Sequence, residues 1–261
     1  MSLNQSIEAA VVKKTALLDQ DFPRFAVRSI LAGAYLTLGT AFAGIVGNAV
    51  ESLAPGLGAI TFAMLFGLGL YSIIILGAEL ATGLMMFMTY GASNKYVSWG
   101  TAFRSIVICT LFNLVGAALI GFMLSFSARF AGLDAANLFT TLTSVKLNKN
   151  VLQLLVESVL ANFVVNMGVV GAMFAKDFAG KFLTILSMIA IFVGLGLEHV
   201  IANFSLFSIT AFSVDPLPAN MTVAAVSINW VFVWVGNIIG GGFLIGGVYA
   251  WLNRGTEAYR D

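Results

Sequence analysis

Residues 182–214 read FLTILSMIAIFVGLGLEHVIANFSLFSITAFSV and contain the only histidine of the chain. The stretch is apolar on both sides of Glu198 and His199, which follow two glycines. Ionisable side chains at membrane depth are costly and therefore indicate function. The pattern predicts a membrane helix that breaks within Gly194–Asn203 and carries His199 at the break.

The composition of the whole chain indicates a membrane protein. Of its 261 residues, 59% are hydrophobic and 10% are charged, and the mean hydropathy is +0.97. A soluble domain carries about 25% charged residues. This chain could not cover its surface with polar groups in water, which excludes a soluble enzyme, a nucleic-acid-binding protein and a disordered protein. We therefore expect lipid around its apolar surface.

A helix that spans a membrane needs about 20 apolar residues. Division of the chain at charges and helix breakers predicts six spans, the second and fifth of them broken. The second is interrupted at Glu79–Gly83, before the apolar Leu84–Tyr90. The predicted spans are Ser29–Val50, Ser52–Ala78, Ser105–Ala128, Val151–Ala175, Phe182–Leu197 with Val200–Val214, and Pro216–Asn253.

Lysine and arginine residues set the predicted orientation. With the amino terminus inside, the inner segments hold ten of these residues and the outer segments three, namely Arg129, Lys146 and Lys149. We expect a multi-pass protein of the cell inner (plasma) membrane with both termini in the cytoplasm.

The two halves of the chain resemble each other at offsets of 129, 127 and 124 residues. With three helices in each half, the second copy must insert upside down, and inverted repeats with matching broken helices indicate a substrate site at their interface. We expect one transmembrane domain over residues 1–261, with repeats at 24–128 and 150–253. The matching segments are Ile30–Gly39 with Val159–Gly168, Gly67–Leu70 with Gly194–Leu197, and Asn113–Gly121 with Asn237–Gly246.

Residues 1–20 are predicted to form an amphipathic helix at the inner membrane face. Ile7, Ala10, Val11 and Leu18 share one side of it, and Lys14 on the same side would reach toward lipid headgroups. A solvated leader fits this segment equally well.

Four uncharged or weakly basic side chains in the spans are candidates for a pore. His199 favours a proton donor or an anion contact over a bond to a neighbouring helix. Thr82 could donate to His199, to a substrate oxygen or to its own backbone. Asn162 and Asn203 suit pore lining and bonding between helices equally well.

The charged candidates are fewer. Lys146 could attract anions at an outer mouth, although an ordinary loop lysine is the simpler interpretation from the sequence alone. Glu79 and Glu198 are expected to bind loop amides. The sequence has no nucleotide-binding P-loop and no histidine–cysteine cluster with metal spacing, so we expect no ATP-driven pumping, no metal and no cofactor.

Four motifs resemble the formate/nitrite transporter family over about residues 20–253. Residues 74–83 (IILGAELATG) resemble its signature, and residues 198–203 (EHVIAN) resemble its central-histidine segment. Lys146 is followed 16 residues later by Asn162, and residues 236–242 (GNIIGGG) fit the sixth helix.

The resemblance implies an aquaporin-like bundle of six helices, assembled as a homopentamer with one pore in each protomer. By the same resemblance, His199 is the central pore histidine, Thr82 its loop partner and Lys146 the outer-vestibule lysine. Asn162 and Asn203 would line the vestibule and the pore. One hydrophobic constriction would comprise Phe66, Val165 and Phe192, and the other Leu70 and Leu80.

Two positions depart from the family pattern. Ala81 stands where the family usually has a bulky Phe or Ile, and Asn166 stands in place of a common cysteine. A small Ala81 would widen the inner constriction and admit lactate beside formate and nitrite.

The expected function is a channel or proton-coupled transporter for small monovalent weak-acid anions and their conjugate acids. An aquaporin-like pore for small neutral solutes is the alternative, although the sequence lacks an Asn-Pro-Ala motif. A membrane enzyme is not expected, because metal ligands and paired acids are missing.

Overall fold

The computed structural model describes residues 3–254, and the regular structure of this part of the chain is helical. Leu133 and Val214 form one isolated parallel bridge. The elements are α1 (Leu3–Gln20), α2 (Phe22–Glu51), α3 (Leu57–Leu76), α4 (Ala81–Ser93), α5 (Trp99–Ser125), α6 (Leu138–Leu147), α7 (Val151–Phe174), α8 (Phe178–Gly194), α9 (Val200–Ser213), α10 (Val223–Asn237), a π-helical segment (Ile238–Gly247) and α11 (Val248–Leu252).

Within residues 3–254, five helices are long and apolar enough to cross a membrane. They are α2, α3, α5, α7 and the continuous run Val223–Leu252, while α8 and α9 are shorter apolar helices. Many large apolar side chains on them are exposed, for example Phe103, Leu152 and Val223. The chain is therefore an all-α, multi-pass membrane protein.

The helix boundaries differ from the predicted spans where capping residues decide them. α2 begins at Phe22, because the Asp21 carboxylate accepts from the Arg24 backbone amide and the helix tolerates Arg24 and Arg28 in its first turns. The last span begins at Val223, since the Thr222 hydroxyl caps its first turn. Cutting at charges cannot locate such caps.

The bundle has two ends, which we name by their short helices. α2 has 30 residues, a length of about 45 Å. It starts beside α1, and Asn48 near its far end accepts a hydrogen bond from the Leu138 amide at the start of α6, at 2.9 Å. The α1 face and the α6 face are thus opposite ends of the bundle.

α1 packs against the bundle through the apolar side that the sequence predicts. Leu3, Ile7, Val11 and Leu18 are buried. The predicted direction of Lys14 was wrong, because its ammonium pairs with the Glu79 carboxylate instead of reaching toward headgroups. Attraction between the two charges is stronger inside the bundle than in water, because the dielectric constant is lower there.

Close helix contacts recur in the two halves of the chain. A methyl group at Gly116 of α5 would lie 1.9 Å from the Ile30 carbonyl oxygen of α2. A methyl group at Gly240 would lie 2.0 Å from the Val159 carbonyl oxygen of α7. Only glycine allows these backbones to approach so closely, as is common between membrane helices.

Candidate functional site

Two short non-helical segments meet in the middle of the bundle. α3 ends at Leu76 and α4 begins at Ala81, while α8 ends at Gly194 and α9 begins at Val200. Gly77 and Gly196 turn the chain with φ angles of 69° and 67°. Each segment exposes backbone amides and carbonyls that need partners away from water.

Asn113 of α5 forms hydrogen bonds with the exposed backbone groups at the first segment. Its Oδ1 accepts from the Ala81 amide at 2.9 Å, and its Nδ2 donates to the carbonyl oxygens of Glu79 at 2.9 Å and Ser29 at 2.7 Å. One fully buried side chain therefore joins α2, the break and the start of α4.

Asn237 repeats these bonds at the second segment. Its Oδ1 accepts from the Val200 amide at 2.9 Å, and its Nδ2 donates to the carbonyl oxygens of Glu198 at 3.0 Å and Ser158 at 2.8 Å. Sequence reasoning missed both roles, although the alignment of Asn113 with Asn237 contained the signal.

His199, the last residue of the second segment, and Thr82, in the first turn of α4, are in direct contact. The imidazole Nε2 lies 2.8 Å from the Thr82 hydroxyl, and both residues are buried. His199 Nδ1 accepts from the Ala202 amide at 3.1 Å and so caps α9. Because Nδ1 uses its lone pair in this bond, Nε2 carries the proton of a neutral imidazole and donates to Thr82.

A cavity opens on each side of this pair. The one at the α1 face has a volume of about 330 Å³, and Leu70 and Leu80 are among its lining residues. The one at the α6 face has about 120 Å³, with Phe66 and Phe192 in its lining. The Phe192 ring lies 5.7 Å from the imidazole and 6.1 Å from the Phe66 ring, between centroids. His199 itself lines neither cavity, and both cavities are lined mainly by apolar side chains.

Lys146 lines the α6-face cavity and belongs to an ion-pair network. Its Nζ lies 3.0 Å from Glu198 Oε1. Lys149 contacts the same oxygen at 2.7 Å, donates to the Gly196 carbonyl at 2.8 Å, and also pairs with Glu157. Burial lowers the pKa of Lys146, which Glu198 opposes and Lys149 reinforces.

The expectation that the two glutamates bind loop amides was wrong. Glu79 pairs with Lys14, and Glu198 pairs with Lys146 and Lys149. A buried carboxylate without a cation would cost several kcal/mol of solvation, which explains why both recruit lysines. The sequence analysis named Lys149 beside Lys146 but assigned it no partner, because Glu198 lies 49 residues away along the chain.

The structure places Asn162 and Asn203 among buried bonds between segments. Asn162 donates to the Thr82 carbonyl at 3.2 Å and to the Asn237 carbonyl at 2.8 Å. Asn203 donates to Glu198 Oε2 at 2.6 Å and to Asn229 Oδ1 at 2.8 Å. Neither lines either of the two cavities described above, and these bonds favour the alternative of bonding between helices.

Three other candidates differ in position. Asn166 donates to the Thr82 carbonyl at 3.3 Å and therefore supports the start of α4, which holds Thr82. Val165 is buried and lines neither cavity. Ala81, predicted for the inner constriction, is fully buried and lines neither cavity. As the first residue of α4, it packs in the core, while Leu80 and Gly83 line the cavity.

Comparisons with known proteins identify the family. The profile of the formate/nitrite transporter family matches residues 2–251. The nitrite transporter NirC of Escherichia coli K12 is 28% identical over 239 residues, which cover 91% of this chain and 87% of NirC.

Two solved structures share the fold. An FNT family ion channel superposes with a TM-score of 0.89 at 26% identity and covers 95% of this chain and 98% of its own. A pentameric formate channel with formate bound superposes with a TM-score of 0.74 at 22% identity, covering 88% and 96%. The members of the matched family are transporters or channels and not enzymes. The chain therefore belongs to the formate/nitrite transporter family.

Proposed function

We propose that the protein is a channel or proton-coupled transporter for small monovalent weak-acid anions such as formate, nitrite or lactate. The observation that carries the proposal is the buried His199–Thr82 pair, which lies between two cavities and behind apolar side chains on both sides. The relatives named for nitrite transport and for a formate channel support the substrate class.

The same proposal includes six spans in two inverted repeats. α3 with α4 and α8 with α9 are then the broken second and fifth spans. The matching hydrogen bonds of Asn113 and Asn237 support this symmetry, as do the positive φ angles at Gly77 and Gly196. Substrate would cross where the two breaks meet.

The proposed mechanism couples the anion to a proton. A bare anion crosses apolar side chains poorly, because dehydration of a charge is costly. His199 therefore takes up one proton from water on the entry side and passes it to the anion at the apolar barrier, and the neutral acid so formed crosses and releases the proton to water on the other side. The Nε2–H of His199 donates a hydrogen bond to the acid where it otherwise donates to Thr82.

We further propose a homopentamer in the cell inner (plasma) membrane, with both termini in the cytoplasm. The excess of Lys and Arg on the segments at the α1 face supports this orientation. The pentameric formate channel of the same fold supports the assembly. The α6 face is then the outer side.

An uptake assay tests the proposal against a pore for neutral solutes. Purified protein in liposomes is expected to take up formate and nitrite when an inward proton gradient is imposed, and to leave glycerol outside. Protein-free liposomes provide the control. Glycerol uptake without anion uptake would support the alternative pore.

Lactate tests the width of the pathway directly. The proposal that lactate is a substrate does not depend on Ala81, because Ala81 lines neither cavity. We expect lactate uptake to be slower than formate uptake in the same liposomes, because lactate is the larger acid. An absence of lactate uptake beside rapid formate uptake would restrict the substrates to the smaller acids.

Lys146→Ala is expected to slow anion uptake several-fold at neutral pH and less at acid pH. The lysine attracts the anion at the α6-face mouth, and at low pH more of the acid is already neutral and needs less attraction. Glu198 keeps Lys149 as a partner, so the variant is expected to fold. Initial rates at two pH values measure the effect, with Lys176→Ala as a control outside both cavities. Equal slowing at both pH values would contradict this role.

A further inference from the structure

We propose that the α1-face cavity binds a multivalent oxyanion of the phosphate or sulfate class and that this ligand plugs the pore mouth. The inference goes beyond the transport of monovalent anions. It depends on the proposed function only where flux is measured, because binding can be measured without transport.

The charges that line this cavity do not balance. Lys13 and Lys14 of α1, Arg28 of α2 and Lys181 of α8 face one carboxylate among the described lining residues, Glu79, so the formal excess is three positive charges. Lys14 pairs with Glu79. Arg28 donates to the Gly77 carbonyl at 3.1 Å, and its guanidinium has further donors in a planar fork that suits oxyanions.

The α6-face cavity provides the comparison. There Lys146 and Lys149 line the cavity and pair with Glu198 and Glu157, which lie behind the lining, so two carboxylates match two lysines. At the α1 face the only ion pair of a lining cation among the described residues is that of Lys14 with Glu79. A monovalent anion that passes through both mouths has the same charge at each, so its passage does not explain the difference. Coulomb attraction grows with ligand charge, and the excess at the α1 face therefore favours a multivalent ligand.

Membrane orientation does not explain the four cations around the α1-face cavity either. Positive residues in loops are enough to fix topology, and Lys176 is such a residue outside the cavity. Orientation does not require cations from three helices around one cavity. Their convergence points to a ligand.

Size and surroundings indicate that the ligand stays at the mouth. The cavity volume of about 330 Å³ lies within the usual range of small-molecule sites, about 300–1,000 Å³. Leu70, Leu80 and Leu84 line it toward the centre. The cost of dehydrating an ion rises with the square of its charge in the Born picture, so a divalent anion is excluded where the neutral acid passes.

Binding is tested on the full chain in detergent at low salt, by calorimetric titration with inorganic phosphate and with sulfate. We expect one saturable site for each. The double variant Lys13→Gln/Lys181→Gln should bind at least about tenfold more weakly, since two nearby charges are removed. Lys176→Gln is the matched control and should bind as wild type. Absence of saturable binding, or equal weakening in the control, would overturn the site.

A second titrant distinguishes a free oxyanion from a lipid headgroup. Short-chain phosphatidic acid carries the same phosphate chemistry on a lipid. Phosphate binding at least as tight as that of this lipid supports a soluble ligand. Binding of the lipid without binding of phosphate or sulfate would overturn it.

Formate uptake into phosphatidylcholine liposomes that contain the full chain tests whether the bound oxyanion plugs the pore. Phosphate on both sides is expected to slow formate uptake several-fold, whereas chloride at the same ionic strength should not. The double variant should be slowed by phosphate less than about twofold, relative to its own rate without phosphate. Phosphate binding without any effect on formate flux would overturn the plug. No formate flux under any condition would instead contradict the proposed function and leave the binding result intact.

Discussion

His199→Ala is expected to reduce proton-driven formate uptake at least about a hundredfold, the lower range for loss of a positioned proton donor. The variant removes the imidazole that lies between the apolar side chains of both cavities and its 2.8 Å contact with Thr82. Liposome uptake under a fixed pH gradient measures the loss. Size-exclusion profiles that match those of the wild type would show that the assembly is retained.

A second variant separates proton transfer from helix capping, because His199 Nδ1 also caps α9 through the Ala202 amide. His199→Asn keeps a side-chain acceptor at a position where Asn is among the best caps, and it keeps an N–H donor, but it cannot bind a proton. We expect it to fold as wild type and to lose uptake as His199→Ala does. Wild-type pH dependence in His199→Asn would contradict a role for imidazole protonation.

The sequence was sufficient to predict the long apolar helices. Helices of this kind are long, and Glu79 and Glu198 follow the ends of α3 and α8 by three and four residues. His199 was one of three hydrogen-bond partners that the sequence analysis considered for Thr82. Their contact could be anticipated because two interrupted helices must satisfy their exposed backbone inside the bundle.

Side-chain direction at the breaks could not be predicted. Each residue of a helix turns by about 100°, so the residue at which α4 begins decides whether Ala81 or Leu80 faces the cavity. The sequence does not fix that boundary. The partner of Lys14 was missed for a related reason, since Glu79 lies 65 residues away and only the packing of α1 brings the two together.

The buried asparagines yield the second large expected effect. Asn237→Ala removes the partners of the Val200 amide and of the Glu198 and Ser158 carbonyls. A buried group without a partner costs about 1–3 kcal/mol, although chains unfolded in a membrane recover part of this cost. We expect a loss of about 2–5 kcal/mol in the free energy of unfolding, measured by denaturant or thermal unfolding in detergent.

Asn113→Ala should lose a similar amount, because Asn113 makes the same three bonds at the other break. Asn253→Ala is the control. That side chain makes one local hydrogen bond, to the Tyr249 carbonyl, so its loss should cost well under 1 kcal/mol.

Asn113→Asp refines the test. It keeps the acceptor for the Ala81 amide but turns an oxygen toward two carbonyl oxygens, so this variant should be at least as unstable as Asn113→Ala. Unfolding of either alanine variant at the wild-type midpoint would mean that water replaces the asparagine, and the breaks would then be solvated rather than held by α5 and α10. Similar losses at both sites would support two halves built on one plan, because a single side chain in each half then holds the segment on which the pore depends.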